Sequence, residues 1–321
     1  MKVSLLVPVY GVEQFIEACA VSLFEQTYAM IEYIFVDDCS PDDSIGILQR
    51  VMNRYPLRQP SVRIVQHEHN RGLGAARATA LSAATGDYVM AVDSDDLLPT
   101  DAVEKLCQAQ QQTGADIVDG TYGRYRDGQV FARVQPFQGS KEAMLKLILI
   151  QNTIPHNLWG RLVRRQLFID NQINSIEGIN MAEDYAVTPR LLFCGTHASI
   201  MDDVYYYRDN ATSTFYEDIT PRHVHSYIKA NAVVQQFFKQ HDASHVYQYP
   251  REVGMLKVYA LSKKAGIRRS EVDDTCQFSP SSFYVRCCRA CFSGLPRMMY
   301  LSYLAAKWFY KRKFSNVITP F

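Results

Sequence analysis

Four short apolar runs, each rich in β-branched or aromatic residues and joined by stretches that carry helix signals, occupy the first hundred residues. They are Val3 to Tyr10, Ile31 to Val36, Val62 to Val65 and Tyr88 to Val92. Pro8 and Gly11 close the first run, and Phe15, Ile16, Cys19 and Leu23 then recur at helical spacing within Glu13 to Gln26. Ser40-Pro41 marks a turn after the second run and opens a helix through Leu48 to Met52. Gly72 to Ala84 reads as a helix of small residues. A chain that alternates strand and helix in this way predicts an α/β fold: a mainly parallel central sheet covered by helices on both faces. Ligands of such sheets bind outside the carboxyl ends of the strands, where the strand order reverses.

Two of these runs end in carboxylates. Asp37-Asp38 closes the second, and Asp93, Asp95 and Asp96 follow the fourth within four residues. Charges this close repel one another unless a cation or hydrogen-bond donors share the site. An isolated D-x-D is most simply a solvated acidic turn, but two clusters on one rim favour a ligand site. A hard divalent ion serving a phosphate-bearing ligand fits that chemistry. Gly72-Leu73-Gly74-Ala75-Ala76-Arg77 looks like a damaged dinucleotide fingerprint, with an acid roughly 20 residues on. The sixth position of that motif needs a small residue for close helix–strand packing, and here it is arginine. Arg77 reads better as a cation facing phosphate from the start of a helix, with a surface ion pair as the plain alternative.

Taken together, Val3 to Tyr10, Phe35 to Ser40, Asn70 to Arg77, Gly86-Asp87-Tyr88 and Asp93 to Asp96 resemble the family 2 glycosyltransferases, which have the nucleotide-diphospho-sugar transferase (GT-A) fold. The likeness continues in His156 to Leu162, in Met181-Ala182-Glu183-Asp184, and in Tyr205 to Arg208 with Ser213. It departs at Gly11, where the family usually has asparagine, and at Gly160, often polar there. The resemblance implies an inverting, metal-dependent glycosyltransferase of bacterial surface or capsular polysaccharide synthesis. Its donor would be a nucleotide-diphosphate sugar, UDP-linked by preference, and its acceptor a glycan or lipid-linked saccharide. Asp95 and then Asp93 would hold Mn2+ or Mg2+, Asp93 alternatively meeting the ribose, with Asp96 in support. Asp38 would accept from the nucleobase edge. Pro8, Val9, Tyr10 and Ser94 would complete the donor site together with Arg77. Asp184 would be the base for the acceptor hydroxyl, and Glu183 the runner-up that orients the site. An aspartate in that position also suits a helix cap. His156 is an acceptor contact or a structural histidine; Trp159 stacks on a sugar or belongs to the core.

A nucleotidyltransferase would carry a glycine-rich, basic loop after the first strand, and Val9 to Glu13 has no lysine or arginine. A non-catalytic sugar-nucleotide scaffold is the alternative of another class, and the joint presence of Asp95 and Asp184 speaks against it. The resemblance divides the chain into a catalytic domain, 1–215, and a helical region, 216–321. Residues 1–100 would form the donor half and 101–215 the acceptor half. With 321 residues, 47% hydrophobic, and a net charge of +1, the chain can bury a full core. No signal peptide or spanning apolar run is expected, and eight scattered cysteines suit a reducing compartment, so a cytoplasmic enzyme is anticipated. Zinc at Cys287, Cys288 and Cys291 is disfavoured, because no second ligand pair follows. After Asp274 there is no acidic residue, and Met298 to Tyr310 is apolar and aromatic between basic flanks. That pattern predicts peripheral contact with the inner membrane face; packing on the catalytic domain or in a homodimer is the alternative. A basic patch without a reading motif makes nucleic acid an unsuitable partner.

Overall fold

The computed structural model describes residues 1–151, 153–209, 220–290 and 296–313. The first hundred residues build β1 (Val3–Val9), α1 (Ile16–Phe24), β2 (Ile31–Asp37), α2 (Ser44–Met52), β3 (Val62–Gln66), α3 (Leu73–Ala83) and β4 (Tyr88–Ala91). These four strands are mutually parallel, in the order β3-β2-β1-β4. The order reverses beside β1, which β2 and β4 flank. All seven residues of β1 and all seven of β2 are buried, as a sheet covered on both faces requires. Pairing of β1 with β4 ends at Leu6 and Ala91, so Pro8, which has no N–H, lies beyond it at the carboxyl rim. Gly11 follows with φ 64, a backbone conformation that asparagine and glycine both tolerate, which accounts for the substitution at this position.

The next segment comprises α4 (Ala102–Thr113), β5 (Ile117–Arg126), β6 (Gln129–Val134), α5 (Lys141–Ile150), β7 (Arg161–Arg164), α6 (Arg165–Asp170), α7 (Glu183–Cys194) and β8 (His197–Arg208). Strand β7 joins antiparallel to β4 and to Ile117–Asp119 of β5, while β6 pairs antiparallel with the distal half of β5. Strand β8 runs parallel along β5 from Ile117 to Tyr125. The completed sheet has eight strands and is mixed: parallel in its first half, with antiparallel additions in its second.

Beyond it lie only helices among the described residues: α8 (Pro221–His241), α9 (Gln248–Lys264), α10 (Arg269–Cys276), α11 (Phe283–Ala290) and α12 (Pro296–Lys313). Three large buried clusters result. One lies between the sheet and α1, α2 and α4, and a second between the sheet and α3, α5, α7 and α8. The third lies among the carboxyl-terminal helices. Seven described cysteines are free. Ser213 and Cys291 fall outside the described residues.

Candidate active site

The carboxyl ends of β1 and β4 open onto the point of strand reversal, and the Asp93–Asp96 turn sits there. Asp96 N–H closes the turn on the Asp93 carbonyl at 3.0 Å. Strand β8 braces it from behind. The Tyr205 hydroxyl accepts from Asp93 N–H at 3.1 Å and donates to Asp96 Oδ2 at 2.8 Å. Arg208 N–H donates to Asp96 Oδ1 at 2.7 Å, and Arg208 Nε donates to the Asp95 carbonyl at 2.8 Å. Asp96 is 1% exposed, and its carboxyl is pushed well above the usual range by burial and by Asp95 and Asp93. Ser94 is buried beside it, whereas Asp93 and Asp95 are only half-buried and face the rim. Tyr205 and Arg208 lie in a segment whose resemblance was legible, but sequence alone gave them no role. Their place emerges only when β8 pairs with β5.

Arg77 is the hub. Its Nη2 reaches Asp93 Oδ1 at 2.8 Å, and its Nη1 reaches Asp184 Oδ1 at 2.6 Å and Glu183 Oε1 at 3.2 Å. It therefore ties the turn after β4 to the start of α7, two segments more than 80 residues apart in the chain. The expected position differs from the observed one. Arg77 is the fifth residue of α3, its side chain 3% exposed, and it is enclosed by carboxylates rather than open to a phosphate. A guanidinium enters a protein interior only when paired. Burial opposes its charge here, and Asp93, Asp184 and Glu183 overcome that opposition. Nor does the small-residue helix start cradle a pyrophosphate. A Cβ on Gly74 would lie 2.2 Å from the Ile176 carbonyl, so the glycine admits the 176–179 backbone.

Asp184 does not cap its helix. Ala182 is the capping residue, in the left-handed region at φ 62, and Glu183 and Asp184 are the first two helical residues. The helix dipole favours their negative charge there. Burial, then the neighbouring Asp184, pushes the Glu183 carboxyl up to about 7, against the lowering pull of Arg77. One buried cation thus serves three carboxylates, with Asp95 and Asp96 adjoining. Among the described residues, no group of three His, Cys, Asp or Glu side chains is arranged to hold a metal. Mg2+ and Mn2+ sites that also bind a diphosphate ordinarily use only one or two protein carboxylates, a number that the half-buried Asp93 and Asp95 at the rim match.

The β2 carboxylates stand at the carboxyl rim and hold the loops beside it. Asp38 is 2% exposed, and it accepts from Arg71 N–H at 2.8 Å, Gly72 N–H at 2.7 Å and His67 Nδ1 at 2.7 Å. The loop from β3 to α3 passes over it, and the partly buried amides of Arg71 and Gly72 find their acceptor there. Asp37 holds the next turn, accepting from Ser40 N–H at 2.8 Å and Gln66 Nε2 at 3.1 Å. Tyr10 stands at the rim, 49% exposed, while Pro8 and Val9 are buried in the wall. Trp159 is 9% exposed, stacked on Tyr205 with centroids 4.3 Å apart and edge-on to Tyr122 at 5.0 Å. Those contacts put it in the core. His156 packs edge-on against Tyr185 with centroids 5.6 Å apart, and burial, helped by Lys257, lowers its pKa to about 4. It stands half-buried beside α7, its Nδ1 without a hydrogen-bond partner among the described residues.

The family model for glycosyl transferase family 2 matches residues 4–170, more than half of the chain. The Bacillus subtilis protein called uncharacterized glycosyltransferase EpsJ is 32% identical over 221 residues, covering 66% of this chain and 62% of its own. Glycosyltransferase GlyG of Streptococcus pneumoniae is 29% identical over 222 residues, 66% of this chain and 72% of that one. The chain therefore spans less than two thirds of EpsJ. Among solved structures, Staphylococcus aureus TarS 1-349 in complex with UDP-GlcNAc superposes with a TM-score of 0.60 at 19% identity. That likeness covers 98% of this chain and 92% of TarS 1-349, and it shows a shared fold.

Proposed function

The chain belongs to glycosyl transferase family 2, and from that premise we propose that it is an inverting glycosyltransferase of cell-surface polysaccharide synthesis. It would move a sugar from a UDP-linked donor to a glycan or lipid-linked saccharide at the inner face of the cell membrane. The observation that carries this reading is the Arg77 hub. It holds a donor-side carboxylate, Asp93, and the acceptor-side pair Glu183 and Asp184 on one guanidinium. UDP-GlcNAc in the related TarS structure supports the choice of nucleotide. We divide the chain after residue 215, between β8, which ends at Arg208, and α8, which starts at Pro221.

In this reading the nucleotide lies against Pro8, Val9 and Tyr10, and its diphosphate reaches over Ser94 toward Asp95. Asp38 acts indirectly, by fixing the Arg71–Gly72 backbone under the nucleotide. Asp95 and Asp93 would hold Mn2+ or Mg2+, which supplies positive charge against the diphosphate leaving group. Asp184 takes the proton of the acceptor hydroxyl as it attacks the anomeric carbon from the face opposite the leaving diphosphate. Arg77 fixes the Asp184 carboxylate by donating from Nη1 to its Oδ1 at 2.6 Å. Glu183 alongside it shapes the charge felt by Asp184.

Titration calorimetry with UDP, GDP, CDP and dTDP sugars, with and without manganese, tests the donor site. We expect metal-dependent binding of a UDP sugar that Asp95→Ala abolishes. Binding that is indifferent to metal and to Asp95→Ala would overturn the metal assignment. A bound donor that never releases UDP in the presence of any saccharide acceptor would favour the scaffold instead.

A further inference from the structure

Helix α12 carries apolar side chains on two opposite faces. Tyr303 and Ala306 are buried in the cluster shared with α9, and the Tyr303 hydroxyl donates to the Gln151 carbonyl at 2.6 Å. That face fixes the helix to the body of the protein. The outward stripe is Leu301, Leu304, Ala305 and Trp308, at spacings of three, four and seven residues. Leu301 is 62% exposed, Leu304 37% and Trp308 53%; Phe283, which begins α11, is 75% exposed. A water-facing helix ordinarily turns polar residues outward, and a contiguous apolar patch of this kind marks a contact surface.

The surrounding charge identifies the partner. After Asp274 the chain has seven basic residues and no acidic one. Lys311, Arg312 and Lys313 end the helix, and the Arg312 guanidinium lies 5.1 Å over the ring of Trp308. Arg286 is exposed one turn after Phe283. An apolar stripe ending in an aromatic ring and cations matches the headgroup boundary of an anionic bilayer. A second copy of the chain matches it less well, because a symmetric contact would set the exposed Arg286 and Arg312 of one copy against those of the other. No described helix is long and apolar enough to cross a membrane, so α12 would lie flat.

We infer that the outward stripe of α12, together with Phe283, is a docking surface for an anionic lipid bilayer. The stripe enters the headgroup layer while Tyr303 and Ala306 keep the helix on the protein. This surface is independent of the donor and acceptor assignments, and its test does not require turnover.

The full chain is mixed with phosphatidylcholine vesicles that contain or lack phosphatidylglycerol, and sedimentation and tryptophan emission are recorded. The protein has two tryptophans, Trp159 in the core and Trp308 on the stripe, so a blue shift lost in Trp308→Phe reports insertion at α12. We expect sedimentation only with phosphatidylglycerol, falling as salt rises, and weakened about fivefold for each cation replaced by glutamine. Leu301→Glu/Leu304→Glu should stay in the supernatant yet bind donor as the unaltered chain does, which separates failed docking from failed folding. Equal binding to neutral vesicles would overturn the electrostatic part. Absence of vesicle binding, with a dimer in light scattering that the double variant disperses, would assign the stripe to a second copy.

Discussion

Each residue of the site is tuned by what it touches. Asp184 and Glu183 are neighbours in the chain and share Arg77, and burial pushes the Glu183 carboxyl up to about 7. If Asp184 is the base, Asp184→Asn should lower kcat by about 10²–10⁴ while leaving donor binding intact. Glu183→Gln should retain turnover and lower kcat far less than Asp184→Asn does, since Glu183 only flanks the base. Turnover that survives Asp184→Asn but not Glu183→Gln would exchange the two roles. Glu183 also leaves a signature in stability. Its folded pKa lies above the free value of 4.5, so the folded protein binds this proton more tightly than the unfolded chain does. The resulting stability is present below about 4.5 and is lost as pH rises toward 7. In urea unfolding, Glu183→Gln should flatten that decline over the same window. A decline equally steep in the variant would show that Glu183 is not the group responsible. The identities of these residues were legible in the sequence, but two of their surroundings were not. Nothing along the chain reveals that Arg77 lies among a carboxylate trio or that Asp38 accepts from a loop backbone. Those partners come from segments up to 107 residues distant.

At the scale of elements, the strands and helices of the first hundred residues lie close to where apolar periodicity puts them, because each is a complete local signal. Gly72 to Ala84 reads as a helix and forms one from Leu73 to Ala83. What periodicity does not reveal is how near two elements come to each other. The glycine at position 74 is a packing residue: the 176–179 segment, which leads into α7 and its two acids, presses its Ile176 carbonyl against it. Gly74→Ala should push that segment away, costing about 1–3 kcal/mol of stability. It should also depress kcat more than donor affinity, since the displaced element carries Asp184 and not the nucleotide wall. Chemical denaturation with kinetics on the same preparation checks both. A variant with full turnover would mean that α7 is positioned by Arg77 alone. The α7 start itself was ambiguous in sequence, because an aspartate ahead of an apolar periodic stretch suits a cap as well as a base. The left-handed Ala182 resolves it by taking the capping position.

At the scale of the whole molecule, the sheet ends before the helical region begins, but the interior does not divide there. Val234, Phe237 and Phe238 of α8 belong to the same buried cluster as Leu6 and Ile34 of the sheet. Gln151, just after α5, donates from Nε2 to Asn231 of α8 at 2.7 Å, accepts from the Tyr227 hydroxyl, and offers its carbonyl to Tyr303 of α12. Helix α9 comes so near α5 that a Cβ on Gly254 would meet the Leu149 carbonyl at 2.3 Å. None of this could be read along the chain, where residues 216–321 carry no strand pattern and resemble an appendage. Removing them would strip one side from α5 and α7 and leave Gln151 with buried polar groups unmet, a loss that apolar contacts elsewhere cannot replace. The full chain should therefore unfold in one calorimetric transition, with helical region and sheet melting together. A fragment ending at residue 215 should have near-native far-ultraviolet dichroism but weak near-ultraviolet signal, and it should bind dyes that seek exposed apolar surface. A fragment with sharp tertiary signals and donor affinity equal to the full chain would show instead that the helices are auxiliary. In that event Gly254→Ala should be silent in the donor assay; if the two regions are one cooperative body, it should lower both melting temperature and donor affinity.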